Sequence, residues 1–323
     1  MLKQVNVGFY GRNRFETAAE ISSFYANDND GTVIVCCGND EQLVDACVVS
    51  PLASTLNAPI LLTDIDKLSP GTEVELARLK PSEVLIIGEY NAVSEKTEDS
   101  IRAICPKASI KRLGGTTRIE TCYEVLLEMS RHKKVDTFFI VGAFEAEADG
   151  LSIAPYAGMK KQPIILVNKD NIHPDIKSWM KQQNAKDAYI IGGTARVSDS
   201  VMQEVNSIIS GNCLGNRLDG QDRVQTNTSI NKRFFTQDKL DNIIITKAYV
   251  LADAATAGPL AAKLKCPIIF GHNYLIDEQL EYLKGKMCKR VMEAGANIGT
   301  VVTNQIRDLL KWETYDYDQE EQE

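Results

Sequence analysis

Short, uninterrupted apolar runs alternate along the chain with longer amphipathic segments, and the runs come in matched sets of three. One set occupies residues 32–37, 137–141 and 242–246, and a second set follows three evenly spaced prolines. Runs of this length without polar alternation are typical of parallel strands that are covered on both faces. The pattern therefore predicts buried parallel strands separated by helices.

The spacing of individual residues indicates that one unit occurs three times. Three sets of identical residues recur at intervals of 104 residues. These sets are Asp45, Asp149 and Asp253; Pro51, Pro155 and Pro259; and Pro59, Pro163 and Pro267. A fixed period with matched local chemistry indicates triplication of one folding unit.

Each unit also carries the same signal for the start of a helix. A good N-cap residue is followed three positions later by Glu or Gln, which is the pattern of a capping box. The pairs are Asn13 and Glu16, Thr117 and Glu120, and Asp222 and Gln225. Strands and helices that alternate at this spacing predict right-handed βαβ units.

The predicted fold class is α/β, with three tandem, small, mostly parallel domains in a pseudo-threefold arrangement. The predicted divisions are residues 1–109, 110–213 and 214–312 for the three repeats, followed by an acidic disordered tail over 313–323. The third repeat is degenerate, because Gln225 and Phe270 replace the Glu and Leu of the other copies.

The charge distribution argues against a nucleic-acid partner and shows that residues 313–323 are acidic. The net charge is −8, and six acids with no base lie in 313–323, so the remaining residues carry only −2. A nearly neutral body without a basic stripe argues against nucleic-acid binding. No run approaches the ~18 apolar residues of a membrane helix, so membrane insertion is not expected.

The cysteines and the first residues bear on the compartment. The eight cysteines recur at no matched position and form no Cys-x-x-Cys pair, which predicts buried free thiols and folding in a reducing cytosol. The first residues lack the apolar run of a secretory signal. Either a signal has been removed, or the protein is made in the cytosol and released by lysis.

Catalytic motifs are missing from the sequence. The three histidines, His132, His173 and His272, occupy no matched repeat position. The sequence contains no metalloprotease, nucleophile-elbow, Walker or dinucleotide-binding motif. We therefore expect no catalytic residues, no metal and no cofactor.

The ordered motifs resemble the clostridial cell wall-binding repeat type 2, which occurs as three tandem copies in surface-layer and cell-wall proteins of Gram-positive bacteria. The resemblance covers residues 6–312 and rests on a Gly-x-x-Arg start, an Asp-containing helix and a Pro-Ile-Leu-Leu strand. It implies a non-catalytic module that attaches non-covalently to an anionic cell-wall polysaccharide. The segments it implicates in binding are Pro59, Ile60, Leu61 and Leu62; Pro163, Ile164, Ile165 and Leu166; and Pro267, Ile268, Ile269 and Phe270.

Those apolar segments have a second interpretation, which is packing in the core, and the two can coexist. The carboxyl ends of strands line the crevices in which α/β sheets bind ligands. A different class of function is also open, since an α/β enzyme or a small-molecule-binding protein can share the same scaffold.

Three arginines are further candidates for ligand contact. Arg14, Arg118 and Arg223 stand at the first helical position, where the helix dipole disfavours a cation. Each should therefore have a specific partner. One alternative is an internal carboxylate, with Asp45, Asp149 and Asp253 as candidates; the other is a polymer phosphate, which guanidinium grips through two hydrogen bonds.

The resemblance and the missing signal together predict a location at the cell wall, at the cell surface or in a virion. Other virion or surface-layer proteins are then potential partners. A phage-encoded tail, receptor-binding or lysis-associated protein would fit cytosolic synthesis followed by lysis.

Overall fold

The computed structural model describes residues 5–26 and 31–312. It confirms an α/β fold of three successive units, each with a parallel sheet and flanking helices. The acidic tail predicted over 313–323 lies outside the described residues.

The first unit contains helices α1 to α4, and the second contains α5 to α8. In chain order the first elements are β1 (Val5–Phe9), α1 (Arg14–Tyr25), β2 (Thr32–Cys37), α2 (Leu43–Leu56), β3 (Ile60–Thr63), α3 (Pro70–Leu79), β4 (Glu83–Ile87) and α4 (Glu95–Ile104). They are followed by β5 (Ser109–Leu113), α5 (Arg118–His132), β6 (Thr137–Gly142), α6 (Glu147–Lys160), β7 (Ile164–Val167), α7 (Pro174–Gln183), β8 (Asp187–Ile191) and α8 (Asp199–Ile208).

The third unit contains helices α9 to α12. Its elements are β9 (Arg217–Leu218), α9 (Arg223–Phe234), β10 (Lys239–Lys247), α10 (Ala252–Leu264), β11 (Ile268–Gly271), α11 (Asp277–Leu283), β12 (Met287–Ala294), α12 (Thr300–Leu309) and β13 (Lys311–Trp312). Strand β12 forms although its sequence is more polar than the equivalent strands β4 and β8.

The three sheets are related in order and direction. Their strand orders are β3-β2-β4-β5, β7-β6-β8-β9 and β11-β10-β12-β1, and every pairing is parallel. The fourth strand of the first two sheets comes immediately before the opening helix of the next unit. The predicted division between residues 109 and 110 thus falls within β5, which belongs to the sheet of the first unit.

Strand β1 closes the three units into a ring. It pairs with β12 of the third unit, from Val5 opposite Arg290 to Phe9 opposite Ala294. The short strand β13 pairs with the beginning of the same strand, at Met287. The third sheet is therefore completed by a strand that the sequence places ahead of the first unit.

Three central helices hold the units together. Helices α2, α6 and α10 pack against one another and contain Pro51, Pro155 and Pro259, one in each helix. Small residues permit the close approach, because a Cβ added at Gly158 would lie 2.4 Å from Ser54 Oγ. This arrangement agrees with the predicted pseudo-threefold packing.

The Pro-Ile-Leu-Leu segments form core strands. Strands β3, β7 and β11 begin one residue after the proline, and all their side chains are buried. The proline carbonyls accept hydrogen bonds from the neighbouring strand, from the N–H groups of Ile34, Phe139 and Ile244. The core-packing interpretation is thereby confirmed.

The helix caps are confirmed, but of the three predicted capping boxes only that of the second unit forms in full. The side chains of Asn13, Thr117 and Asp222 all accept hydrogen bonds from the first turn of their helices. The reciprocal bond, from the Thr117 N–H to Glu120, occurs in the second unit. In the other two units Glu16 and Gln225 accept from the N–H one residue before the cap, so the prediction of three reciprocal boxes is wrong.

All eight cysteines are buried and unpaired, as predicted. Burial raises the pKa of their thiols; for Cys122 the pKa rises to about 12. A thiol with a raised pKa and no solvent access is a poor nucleophile. These cysteines therefore act as small core residues.

Candidate functional site

The units meet at three seams, which we name by the units they join. At the 3–1 seam Asp253 lies near Arg14, and at the 1–2 seam Asp45 lies near Arg118. At the 2–3 seam Asp149 is close enough to Arg223 for the guanidinium to influence its ionisation. Each seam thus combines a buried aspartate of one unit with the first helical arginine of the next unit.

The three arginines make the same type of main-chain contact, each within its own unit. Each donates a hydrogen bond to the carbonyl oxygen of the residue that follows the first central strand of its own unit. The pairs are Arg14 with Gly38, Arg118 with Ala143 (2.8 Å) and Arg223 with Ala248 (3.2 Å). A carbonyl acceptor satisfies a cation that the helix dipole disfavours.

The remaining contacts of the arginines differ. Arg118 is the most constrained, because it reaches Glu147 at 3.2 Å, the carbonyl of Glu41 in the first unit at 2.9 Å, and the face of the Phe144 ring. Arg14 forms an ion pair with Asp40 at 2.6 Å.

The expected ion pairs between these arginines and the three aspartates do not form among the described residues. Arg223 instead lies over the ring of Tyr249, 4.9 Å from its centroid. Arg14 and Arg118 do pair with internal carboxylates, as one alternative predicted. Their partners are Asp40 and Glu147 and not the predicted aspartates.

The three aspartates are buried near the start of the central helices. The exposed fractions of Asp45, Asp149 and Asp253 are 6%, 9% and 5%. Each carboxylate lies against a glycine with positive φ, which is Gly88, Gly192 or Gly295. A Cβ added at Gly295 would lie 2.0 Å from Asp253 Oδ2, so a side chain there would displace the carboxylate.

Burial dominates the ionisation of these carboxyls. It raises the pKa of Asp45 to about 7 and the pKa values of Asp149 and Asp253 to about 6. Arg118 opposes the rise at Asp45, and Lys247 followed by Arg14 opposes it at Asp253. The charge of one unit thus acts on the aspartate of its neighbour.

The seams differ in the space they enclose. The 3–1 seam holds a crevice of about 900 Å³ lined by Arg12, Arg14, Lys247 and Asp253, whereas the crevice of the 1–2 seam is about 170 Å³. Ligand pockets usually have volumes of about 300–1,000 Å³. Of these two crevices, the 3–1 crevice alone has room for a sugar ring with its substituents.

The structure brings part of the first Pro-Ile-Leu-Leu segment close to this space. Strand β3 ends at Thr63, and the next two residues, Asp64 and Ile65, line the 3–1 crevice. The side chains of Ile60, Leu61 and Leu62 remain in the core. Contact between these three side chains and a ligand stays a prediction.

Sequence reasoning missed Arg12 and Lys247, which belong to no matched set, and it missed the aromatic partners of the arginines. Phe144 and Tyr249 follow the carbonyl residues Ala143 and Ala248 and are 57% and 55% exposed. They are 105 residues apart, as Arg118 and Arg223 are, but the first unit has Asn39 after Gly38, so no aromatic residue recurs in all three copies. A comparison of the second and third units alone would have found them.

Replacing Arg118 with Lys is expected to lower the free energy of unfolding by about 1–3 kcal/mol, because an ammonium lacks the fork that reaches Ala143 and Glu147 in its own unit and Glu41 across the 1–2 seam. Urea unfolding measures the change. Arg12→Lys is the control and should leave stability unchanged, since the Arg12 side chain is 89% exposed. Unchanged stability of Arg118→Lys together with weakened wall binding would instead indicate that Arg118 serves a ligand.

Three parallel α/β units, joined in a ring with polar seams, define a three-repeat binding scaffold. Sequence comparison identifies the repeats. The chain belongs to the cell wall binding domain 2 (CWB2) family, whose model matches residues 9–98, 112–202 and 217–299.

Relatives of known structure share the whole arrangement. Cwp6 from Clostridium difficile is 33% identical, with a TM-score of 0.91 over 97% of this chain and 49% of its own. Cwp8 from the same organism is 28% identical, with a TM-score of 0.85 over 95% of this chain and 52% of its own.

Two proteins of Bacillus subtilis (strain 168) are also similar. An amidase enhancer is 31% identical over 81% of this chain and 34% of its own length. The N-acetylmuramoyl-L-alanine amidase LytC is 28% identical over 94% of this chain and 58% of its own length. The chain thus spans between a third and three fifths of these two relatives.

Family membership assigns the protein to binding at the cell wall or cell surface. Within residues 5–26 and 31–312, no helix has both the length and the apolar character needed to cross a bilayer. The same residues contain no group of three or more His, Cys, Asp or Glu side chains placed to hold a metal ion.

Proposed function

We propose that the protein is a non-catalytic module that attaches non-covalently to an anionic polysaccharide in the wall of a Gram-positive cell. The observation that carries this proposal is the 3–1 crevice, where Arg12, Arg14 and Lys247 surround a space of sugar-ring size. The family supports wall binding in general. For the anionic polymer the proposal relies on these three cations, which lie in a lining that also contains Asp40, Glu41, Asp64 and Asp253.

The chemistry of the cations suits phosphate or carboxylate groups. Guanidinium presents paired donors that match the two oxygens of such an anion. The Arg12 side chain precedes helix α1, is 89% exposed and pairs with Glu16 of that helix, so it can turn toward a ligand at little cost. Arg14 is held in place by Gly38 and Asp40 and keeps its charge at the crevice wall.

The Pro-Ile-Leu-Leu strands contribute from within the core in this proposal. Strand β3 fixes the position of Asp64 and Ile65 at the crevice, so a change in its apolar side chains would move the crevice wall. We extend the same role to the equivalent segments that begin at Pro163 and Pro267. For ligand binding, the sequence changes in the third repeat would then matter less than the 3–1 seam, which this repeat forms with the first unit.

Co-sedimentation with purified walls tests the proposal. We expect the protein to pellet with intact walls at low salt, to be released as salt rises, and to stay in solution when the anionic polymer has been removed chemically. Equal binding to stripped walls, or no binding to intact walls, would refute it. Assaying the same walls for release of soluble fragments tests the non-catalytic part.

A charge-reversal pair locates the site. Lys247→Glu should weaken co-sedimentation, because it removes a cation and places a fifth acid beside Asp40, Glu41, Asp64 and Asp253 in the 3–1 crevice. Lys96→Glu makes the same change on the exposed side of α4, outside both crevices, and should bind walls as the unaltered protein does. Phage origin and virion or surface-layer partners stay predictions, which the genes beside this one can test.

A further inference from the structure

The carboxylate of Asp253 lies at the 3–1 crevice without a hydrogen-bond donor from the described part of the chain. It is 5% exposed, and the groups that influence its ionisation, Lys247 and Arg14, act through charge alone. Asp45 at the 1–2 seam is in the same condition, with Arg118 acting through charge. Asp149 at the 2–3 seam differs, because the side chain of Thr226 from the neighbouring unit is close enough to lower its pKa against the effect of burial.

A second unsatisfied acceptor lies close to these carboxylates. Gln42 lines both crevices, and its buried Oε1 has no hydrogen-bond partner among the described residues. Buried polar atoms in folded proteins nearly always have a partner, which is either protein or water. The wall shared by the two crevices thus contains a second buried oxygen without a donor from the described residues.

We propose that Asp253 forms a sugar-recognition subsite, in which its carboxylate accepts a hydrogen bond from a hydroxyl or amide N–H of one sugar unit of the wall polymer. The inference rests on the function proposed above and assigns different binding roles to the cations and to the carboxylate of the 3–1 crevice. Arg12, Arg14 and Lys247 hold the anionic group, and Asp253 selects the neutral donor beside it.

Electrostatics separates these two roles. A carboxylate repels phosphate, so the anionic group of the polymer cannot occupy the space next to Asp253. The group that does so must be a donor without negative charge, and hydroxyl and amide groups are the donors that sugar rings carry. Charge-assisted hydrogen bonds of this type are about twice as strong as neutral ones.

The local backbone leaves room for the carboxylate at the crevice wall. Gly295 lies against Asp253 with φ of 99°, a conformation that favours glycine. Ala296 and Asn297, which follow it, line the same crevice. A larger residue at 295 would fill the space that a ligand hydroxyl would occupy.

The 1–2 seam repeats the arrangement on a smaller scale. Its crevice of about 170 Å³ lies below the usual range for ligand pockets, so it can admit a single substituent but not a ring. Asp149 instead has the Thr226 side chain of the neighbouring unit close to it. The three seams thus offer one full subsite, one restricted subsite and one internal control.

Matched Asp→Asn substitutions test the inference by calorimetric titration with anionic polymer purified from the walls used for sedimentation. Asparagine keeps the size of the side chain but removes the charge and replaces one acceptor oxygen with a donor. We expect Asp253→Asn to weaken binding about tenfold, and Asp149→Asn to remain within about twofold of the unaltered protein. Thermal unfolding of both variants serves as the structural readout.

The outcomes are separable. Normal binding by Asp253→Asn, while the unaltered protein binds the polymer, overturns the subsite and leaves the proposed function standing. Equal losses in Asp253→Asn and Asp149→Asn also overturn it, because that pattern would reflect the fold of the seams. If the unaltered protein does not bind the polymer, both proposals fall. Should Asp253→Asn not fold, Asp253→Ser gives the same comparison with a smaller side chain.

Discussion

Replacing Phe9 with Ala is expected to lower the free energy of unfolding by about 3–5 kcal/mol, the usual cost of removing a buried aromatic side chain. Phe9 ends β1 and is 3% exposed. Its ring packs edge-to-face on Phe24 of α1 at 5.4 Å, and its carbonyl accepts a hydrogen bond from the N–H of Gly295. The substitution therefore weakens the contact between β1 and the third unit as well as the packing of α1.

Urea unfolding measures this loss, and hydrogen exchange shows where it acts. The amides of β12 should lose protection in Phe9→Ala, because β1 covers the edge of that strand. Phe24→Ala is the matched control: its ring is the partner of Phe9 but is 36% exposed, so the expected loss is smaller. Unchanged protection of β12 would contradict a structural role for the ring closure.

The sequence predicted most of the repeated unit because its signals are local. Strand β2 was predicted with its observed bounds, and the helix caps at Asn13, Thr117 and Asp222 lie where the pattern placed them. Both signals depend on neighbouring residues only, namely an apolar run and a polar side chain before a helix.

The closure of the ring could not be predicted in this way. Strand β1 and strand β12 are separated by almost the whole chain, and a parallel pairing leaves no mark in the sequence of either strand. The five residues of β1 also resemble β5 only weakly. The spatial neighbours of an edge strand depend on how the units pack, which here follows from the central contact of α2, α6 and α10.

Some residues of the candidate site were singled out from the sequence, but Arg12, Lys247 and the geometry were not. The repeat, at intervals of 104 or 105 residues, identified the aspartates and the arginines. The pairing expected between them was wrong, because the partners that all three arginines share are carbonyl oxygens, which carry no sequence signal. The difference in size between the 3–1 and 1–2 crevices is likewise a property of packing. Matched residues therefore do not imply three equivalent sites.

The buried aspartates connect the site to stability. A carboxyl kept out of water without a salt bridge opposes folding whenever it is ionised. All three seams contain such a carboxyl, although an uncharged residue of similar size would oppose folding less. Residues that lower stability in this way are commonly retained for function, which agrees with the subsite proposed for Asp253.

The free energy of unfolding is therefore expected to increase as the pH falls from 8 to 5, with Asp45 making the largest contribution. In the folded protein the Asp45 carboxyl takes up its proton near pH 7, whereas its ordinary value is 3.8. Between these values the folded state binds more protons than the unfolded state, so acid favours folding. This contribution is complete below about pH 4 and is lost as the pH rises through 7.

One pKa unit corresponds to about 1.4 kcal/mol, so ionised Asp45 opposes folding by about 4 kcal/mol above pH 7. Asp45→Asn should consequently be more stable than the unaltered protein at pH 8, and the difference should shrink toward pH 5. Urea unfolding at the two pH values measures both effects, with the exposed Asp99→Asn as the control that leaves the pH dependence intact. Asp149 and Asp253 keep a smaller dependence in the variant, because burial raises their pKa values to about 6. A variant that retains the full pH dependence would show that the Asp45 carboxyl is hydrated in solution. The 1–2 seam would then not be desolvated.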